Sequence, residues 1–302
     1  MKATISGITA LSPTIRKFTL AADSLPAAAP GAHIMVEIPG PARSWKNAYS
    51  LVSANGENYE IIVRRVEKSR GGSAWLHDHA ALGDMLEISL PQNLFPLART
   101  ARKHLLLSAG IGITPFLFYL KSFTQAPLEL HQLCKPEDAE IFQNLLAGTR
   151  AKTTIHSSRN ALDLPALLAA QKLDTHLYLC GPESFMDNAR ATAAKLGWPA
   201  AKIHFETFGG PTGGAPFTAH LARSNIMVNV GPEESLLEAI EAAGLTPPCL
   251  CRGGACGECE IPVLSGIPDH HDHFLSDAKR ASNSAIMTCV SRAKTPELTL
   301  DF

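Results

Sequence analysis

The sequence predicts three folded blocks in series over 302 residues: an antiparallel β-barrel, a parallel α/β sheet and a small α+β domain. Three observations predict them. Short alternating segments divided by turn residues fill the first hundred residues. From Lys103, buried-strand runs alternate with helical stretches. Beyond a Gly/Pro-rich run at 209–216, a short last block carries five of the seven cysteines. The boundaries that follow are 1–100, 101–208, a linker over 209–216, and 217–302.

In the first block the alternating segments are His33–Val36–Ile38, Ile61–Val63–Val66 and Leu86–Ile88–Leu90. Pro30-Gly31, Pro39-Gly40, Asn55-Gly56 and Gly83-Asp84 separate them, and Ala74–His79 reads as one packed helix. The second block opens on a strand, His104 to Gly110, leading into a helix over Pro115–Phe123. A strand over Leu128–Leu133 precedes a helix from Pro136 to Leu146. Leu177–Cys180 then leads into a helix through Met186 to Leu196. The third block has strands near His220–Ser224 and Met227–Val230, and a helix over Ser235–Ala243.

Composition narrows the function. Apolar residues make up 45% and charged residues 18%, and the formal net charge is −1. That balance suits folded domains and gives no electrostatic reason to expect nucleic acid or a membrane surface as partner. No apolar run approaches the roughly 18–20 residues of a membrane span. The first residues lack a charged, then apolar, then small-residue series, so no leader is expected and the cytoplasm is the expected compartment.

Cys251-Arg-Gly-Gly-Ala-Cys256-Gly-Glu-Cys259, with Cys289 farther on, has the C-x4-C-x2-C…C spacing of a plant-type [2Fe–2S] site. Three thiolates on one tight loop can wrap a cluster that a distant fourth closes. Gly253, Gly254 and Gly257 let backbone N–H groups approach the sulfurs. A structural zinc site would instead show two C-x2-C or Cys/His pairs. Cys249 falls outside the spacing and reads as a structural thiol. His270, His271 and His273 read as an exposed polar turn.

On these residues, 217–302 resembles a plant-type ferredoxin (β-grasp) domain. Gly266-Ile-Pro-Asp-His270 and Cys289-Val-Ser-Arg-Ala293 resemble the C-terminal domain of the phthalate dioxygenase reductase and vanillate O-demethylase reductase family. Two further motifs extend the resemblance. Asn47-Ala48-Tyr49-Ser50 resembles the R-x-Y-S flavin motif, which implies Tyr49 against the isoalloxazine and Ser50 near its N5. Arg70-Gly71-Gly72-Ser73 resembles the family's phosphate-binding R-G-G-S; two open backbone N–H groups, a hydroxyl and a guanidinium suit an anion. The resemblance also implies that Ile62, Val63 and Arg64 line the ribityl chain. Asn47 stands where the family has an Arg that contacts the flavin phosphate, and Lys46, Arg43 or Arg70 are the residues that could compensate. FMN is implied over FAD by the C-terminal place of the ferredoxin block.

Ser108-Ala-Gly110-Ile-Gly112-Ile-Thr114-Pro115 is a glycine turn between a buried strand and a helix, suited to a pyrophosphate at a helix N-terminus. Alone this G-x-G-x-x-P is a weak signal. With Cys180-Gly181-Pro182 and His204–Phe208 it resembles the NAD domain of ferredoxin reductases. That implies Thr114 at the flavin, the Cys180 loop beside the nicotinamide, and Phe208 covering the flavin face. Cys134-Lys135-Pro136-Glu137-Asp138 offers one cation beside two acids, a poor 2′-phosphate pocket, so NADH is expected over NADPH.

The implied route runs NADH, FMN, [2Fe–2S], then a separate acceptor, since the sequence has no Rieske pattern of its own. By resemblance the acceptor is the terminal oxygenase of a Rieske-type demethylase or ring dioxygenase. Residues 220–302 hold eleven acidic and six basic residues, a net −5 against +4 elsewhere. Such a face can steer a basic partner or be merely solvated. A reductase of another acceptor, or a non-enzymatic ferredoxin-type carrier, are the competing readings; the two nucleotide-binding motifs weigh against the second.

Overall fold

In the first half of the chain, period-two burial closes a barrel. Strands β1 (Lys2–Ser12), β2 (Ile15–Ala21), β3 (His33–Ile38), β4 (Trp45–Ala54) and β5 (Asn58–Arg64), helix α1 (Gly72–Asp78) and strand β6 (Met85–Ile88) follow in order. The barrel order is β1-β2-β5-β4-β3-β6, every neighbour antiparallel. Ile34, Val36 and Ile38 of β3 share its core with Phe18, Leu51, Tyr59, Ile61, Val63 and Leu76 of α1. The last strand stops at Ile88 rather than Leu90, which is exposed and precedes Pro91, a residue without an N–H for the ladder. This computed structural model describes residues 1–40, 44–67, 71–122, 126–158, 161–208 and 213–302.

The outward face of the barrel is as informative as its inside. Ile15, Val52 and Ile62 form one core with Ile113, Phe116 and Phe142 of the α/β half. Arg64 at the end of β5 donates to Asp138 at 2.6 Å, with little of the Asp138 side chain exposed. Barrel and α/β half therefore form one compact unit, Met1–Glu206; Thr207–Phe302 forms the other.

The α/β half contains β7 (Lys103–Ala109), α2 (Thr114–Lys121), β8 (Leu128–Leu133), α3 (Ala139–Leu146), β9 (Lys152–His156), α4 (Leu164–Ala169), β10 (Thr175–Cys180), α5 (Glu183–Lys195) and β11 (Ile203–Glu206). The sheet order is β11-β10-β7-β8-β9, all parallel. Strands buried on both faces explain the unbroken apolar runs in β7 and β10. Helices α2 and α3 pack on one face, α4 and α5 on the other. Helix α2 ends at Lys121; Phe123, its expected last residue, lies outside the described residues. The helix expected from Pro136 begins as a 3₁₀ turn, Pro136–Asp138, before α3.

The second unit contains β12 (Phe217–Leu221), β13 (Ile226–Val230), α6 (Leu236–Ala242), β14 (Glu260–Ser265), β15 (Pro268–Asp269), α7 (Asp277–Ala281), β16 (Ala285–Met287), β17 (Arg292–Ala293) and β18 (Glu297–Leu300). Its mixed sheet runs β13-β12-β18-β14-β16, with β12 and β18 parallel, and β15 pairs with β17. Helix α6 lays Leu236, Ala239 and Ile240 on the sheet core. Ser235 and Glu238 cap it reciprocally, an arrangement worth about 1 kcal/mol. The first strand starts earlier than expected, because residues 222–225 form a turn in which Asn225 has φ +52°. Residues 209–212 of the expected linker lie outside the described residues. Its remainder is not a free tether: Gly214 N–H donates to Pro232 O at 3.0 Å, and Arg292 Nη2 donates to Ala215 O at 3.0 Å.

Candidate functional site: a four-thiol loop, a flavin face and a nucleotide loop

Arg252, Gly254 and Gly257 take φ values of +52°, +73° and +84°, and these three left-handed residues coil the chain between β13 and β14 back on itself. A Cβ on Gly257 would strike the Phe274 ring at 2.3 Å, so that coil has no room for a side chain there. The thiols come together in two pairs. Cys259 Sγ lies 3.1 Å from Cys289 Sγ, both buried, and Cys251 shares an S–H···S bond with Cys256. Among the described residues, no three Cys, His, Asp or Glu groups converge on one ion. A two-plus-two thiol set fits a cluster whose two irons each take two thiolates.

Within each pair the two sulfurs share a proton, so Cys251 and Cys259 are lowered while their partners Cys256 and Cys289 are raised. The Cys256 S–H and then the backbone N–H groups of Gly253 and Ala255 draw the Cys251 thiol down to about 5, against the cost of burial. Gly253 N–H donates to Cys251 Sγ at 3.4 Å. Cys259 is lowered in the same way by its bond with Cys289. Cys249 stands apart: burial raises its thiol, and Arg252 Nη2 donates to it at 3.6 Å.

Asp272 organises this region, and nothing in the local sequence marks it. Its buried carboxylate accepts from Leu275 N–H at 2.8 Å, Phe274 N–H at 3.1 Å and Ser291 Oγ at 3.4 Å. Next door, His273 N–H donates to Gly254 O at 3.0 Å. One segment thus ties both cysteine-bearing stretches together. The histidine turn is only partly as expected. His271 is exposed and pairs with Asp269 at 3.0 Å, whereas the side chain of His270 is largely buried, 3.7 Å from Asp272.

On the barrel, Asn47, Tyr49 and Gly72 meet. Asn47 Nδ2 donates to the Tyr49 hydroxyl at 3.3 Å, and a Cβ on Gly72 would lie 2.3 Å from that Nδ2. Burial pushes Tyr49 up to about 12, the Asn47 bond offsetting it in part. Ala48 is exposed. Gly71 precedes α1, and Ser73 Oγ accepts from Val66 N–H at 3.2 Å. Arg70 and Arg43 lie outside the described residues.

Ser50 is buried and its Oγ has no hydrogen-bond partner. Directly across the β3–β4 ladder, His33 is also buried, with both ring nitrogens unpartnered. Buried polar atoms of this kind call for a partner, and the polar edge of a flavin ring fits the need. The sequence reading missed His33, which only the strand register brings to Ser50. The β5 side chains are committed elsewhere: Val63 to the barrel core, Ile62 to the shared core and Arg64 to Asp138.

The nucleotide loop is a 3₁₀ turn, Gly110–Ile113, running into α2 with Thr114 and Pro115 in its first turn. Thr114 is buried and its Oγ1 donates to Ile111 O at 3.0 Å. A Cβ on Gly112 would lie 2.3 Å from the Cys180 carbonyl oxygen and 2.7 Å from Gly181 N, so only glycine lets the two loops touch. This is the close backbone approach that a dinucleotide cradle requires. Cys180 is fully buried and its thiol is raised by burial, so its carbonyl rather than its sulfur meets the loop; Pro182 caps α5. Phe208, at the start of the second unit, is half exposed.

Residues 219–294 match the family model of the 2Fe-2S iron-sulfur cluster binding domain. The heme-dependent oxidative N-demethylase beta subunit of Ectopseudomonas mendocina (strain ymp) is 42% identical over 99% of this chain and 97% of its own. The carnitine monooxygenase reductase subunit of Escherichia coli (strain K12) is 40% identical over the same shares. A solved phthalate dioxygenase reductase superposes with a TM-score of 0.85 at 32% identity, covering 100% of this chain and 98% of that one. The chain belongs to the phthalate dioxygenase reductase family. In that family the barrel, the parallel sheet and the ferredoxin unit are the parts of an electron-transfer oxidoreductase. No helix among the described residues is long and apolar enough to cross a membrane.

Proposed function

We propose that this chain is the reductase component of a two-component oxygenase, taking reducing equivalents from NADH and delivering single electrons to a separate oxygenase through FMN and a [2Fe–2S] cluster. The observation that carries the reading is the two-plus-two thiol set in one chain with an unpartnered Ser50 face and a glycine cradle. FMN, when bound, would supply acceptance of one hydride, two electrons at once, and their release singly, and the cluster a one-electron relay.

The chain's own residues do the rest by positioning. Ser50, Tyr49 and Thr114 hold the isoalloxazine, with Asn47 and Ala48 beside it, and Arg70, Gly71, Gly72 and Ser73 hold the FMN phosphate. Ile62, Val63 and Arg64 contribute backbone along the ribityl chain. Gly110, Gly112, Pro115 and Cys180–Pro182 receive the dinucleotide. Cys251 with Cys256, and Cys259 with Cys289, hold the cluster. Lys135 is paired with Glu137 at 3.7 Å and Asp138 is held by Arg64, which supports NADH over NADPH. We place the protein in the cytoplasm, where NADH is available, with the acidic second unit steering a basic partner.

The test is anaerobic. NADH added to the purified holoprotein should bleach the flavin band and then the cluster bands; an unbleached flavin sinks the proposal. The acceptor is a Rieske-type oxygenase by the family's phthalate and vanillate systems. The haem-dependent demethylase relative supports a haem oxygenase as the second reading. NADH-coupled substrate turnover with each kind of oxygenase component separates them.

A further inference from the structure

Gln132 has no role in the reading so far, yet it is fully buried at the end of β8. Leu128 and Leu130 precede it on the same face, within the core shared with α2 and α3. A carboxamide there is costly unless every polar atom is satisfied. It is satisfied, and its partners are informative. Its Oε1 accepts from the hydroxyl of Ser108, its register partner on β7. Its Nε2 donates to Gly110 O at 3.0 Å and to Leu133 O at 2.9 Å. Both of those oxygens can only accept, which fixes which end of the amide faces them.

Gly110 is the first glycine of the nucleotide loop. It has φ +56°, and nothing lies within 4 Å of where its Cβ would be. Packing therefore does not hold the chain there, in contrast to Gly112, which is wedged against the Cys180 carbonyl. The hydrogen bond from Gln132 anchors it from outside, beside the turn's own i to i+3 bonding. In a planar trans peptide the C=O and the following N–H point in opposite directions. With the Gly110 carbonyl held toward Gln132, the Ile111 N–H faces away from it. It is one of the first N–H groups of the turn, which lack partners within the turn.

We infer that Gln132 is the positioning residue of the nucleotide loop: by holding the Gly110 carbonyl, it presents the Ile111 N–H to the phosphates of the dinucleotide. Ser108 orients the Gln132 amide and is secondary to it. The inference deepens the nucleotide-binding reading and rests on it.

Three variants of the holoprotein test it, assayed for NADH oxidation with ferricyanide as acceptor. Gln132→Glu keeps an acceptor for Ser108 but has no N–H donor, and at most one O–H when protonated, for two carbonyls; KM for NADH should rise about tenfold while kcat stays within about twofold. Ser108→Ala keeps both donors but frees the other end of the amide, and its KM should rise less than that of Gln132→Glu. The double variant Ser108→Ala/Gln132→Met leaves no hydroxyl unpaired and so guards against misfolding; its KM should rise like that of Gln132→Glu. Flavin and cluster absorption should be unchanged in all three. An unchanged KM in the double variant and in Gln132→Glu, with only a lowered melting temperature, overturns the inference. A parent protein that NADH does not reduce overturns the nucleotide reading itself, so the two failures are distinct.

Discussion

In the second unit the functional groups are side chains; in the first they are mostly backbone. The Cys251–Cys259 loop and the Cys289 segment bring four thiols into two pairs, and a plant-type cluster calls for thiolates there. The nucleotide loop works through the space that Gly112 leaves beside Cys180, and through N–H groups that any residue carries. On the barrel, Asn47 reaches the Tyr49 hydroxyl through its side-chain amide. Side-chain sites fix residue identity. Backbone sites fix shape and leave identity free wherever no Cβ intrudes.

Replacing Cys289 by Ser should break the comparison most visibly. The cluster's visible and paramagnetic signals should be lost while NADH still bleaches the flavin, because the two sites depend on different kinds of groups. Cys249→Ser should keep both signals. Next in size is Gly112→Ala. Its methyl meets backbone rather than a movable side chain, so the loops must separate, and kcat/KM for NADH should fall roughly a hundredfold in stopped-flow reduction. The cluster should be untouched.

The smallest effect is acid sensitivity, and it should arise in the first unit. Burial alone would raise the Glu129 carboxyl, but Lys103 at 2.5 Å and Lys152 at 2.6 Å outweigh burial and hold it at about 2. Its folded pKa is thus depressed below the ordinary 4.5. The stability it contributes is complete above pH 4.5 and disappears as pH falls toward 2. Urea unfolding of the parent between pH 5 and 2 should show this slope, and Glu129→Gln should flatten it.

The cluster was legible because its information is local: the spacing of Cys251, Cys256 and Cys259 is itself the coordination geometry. The barrel and the parallel sheet were legible for a similar reason, since turn residues and strand periodicity are local too. What stayed hidden depends on which distant residues share a register. His33 comes to Ser50 only through the β3–β4 ladder, and Gln132 to Ser108 only through β7–β8. Arg64 is an unremarkable strand-end cation until Asp138, seventy-four positions on, is placed beside it. The Gly/Pro composition of 213–216 suggested freedom, but composition does not reveal that Arg292 holds Ala215.

The division at Glu206 and Thr207 has a consequence for how such a molecule can be built. The barrel and the α/β half share a core and a part-buried ion pair, so neither could be traded without the other. The four-thiol unit has its own core, its own capped helix and all four of the paired thiols. As a piece of genetic hardware the chain therefore has one natural splice. An electron outlet can be exchanged there for another while the intake is left whole.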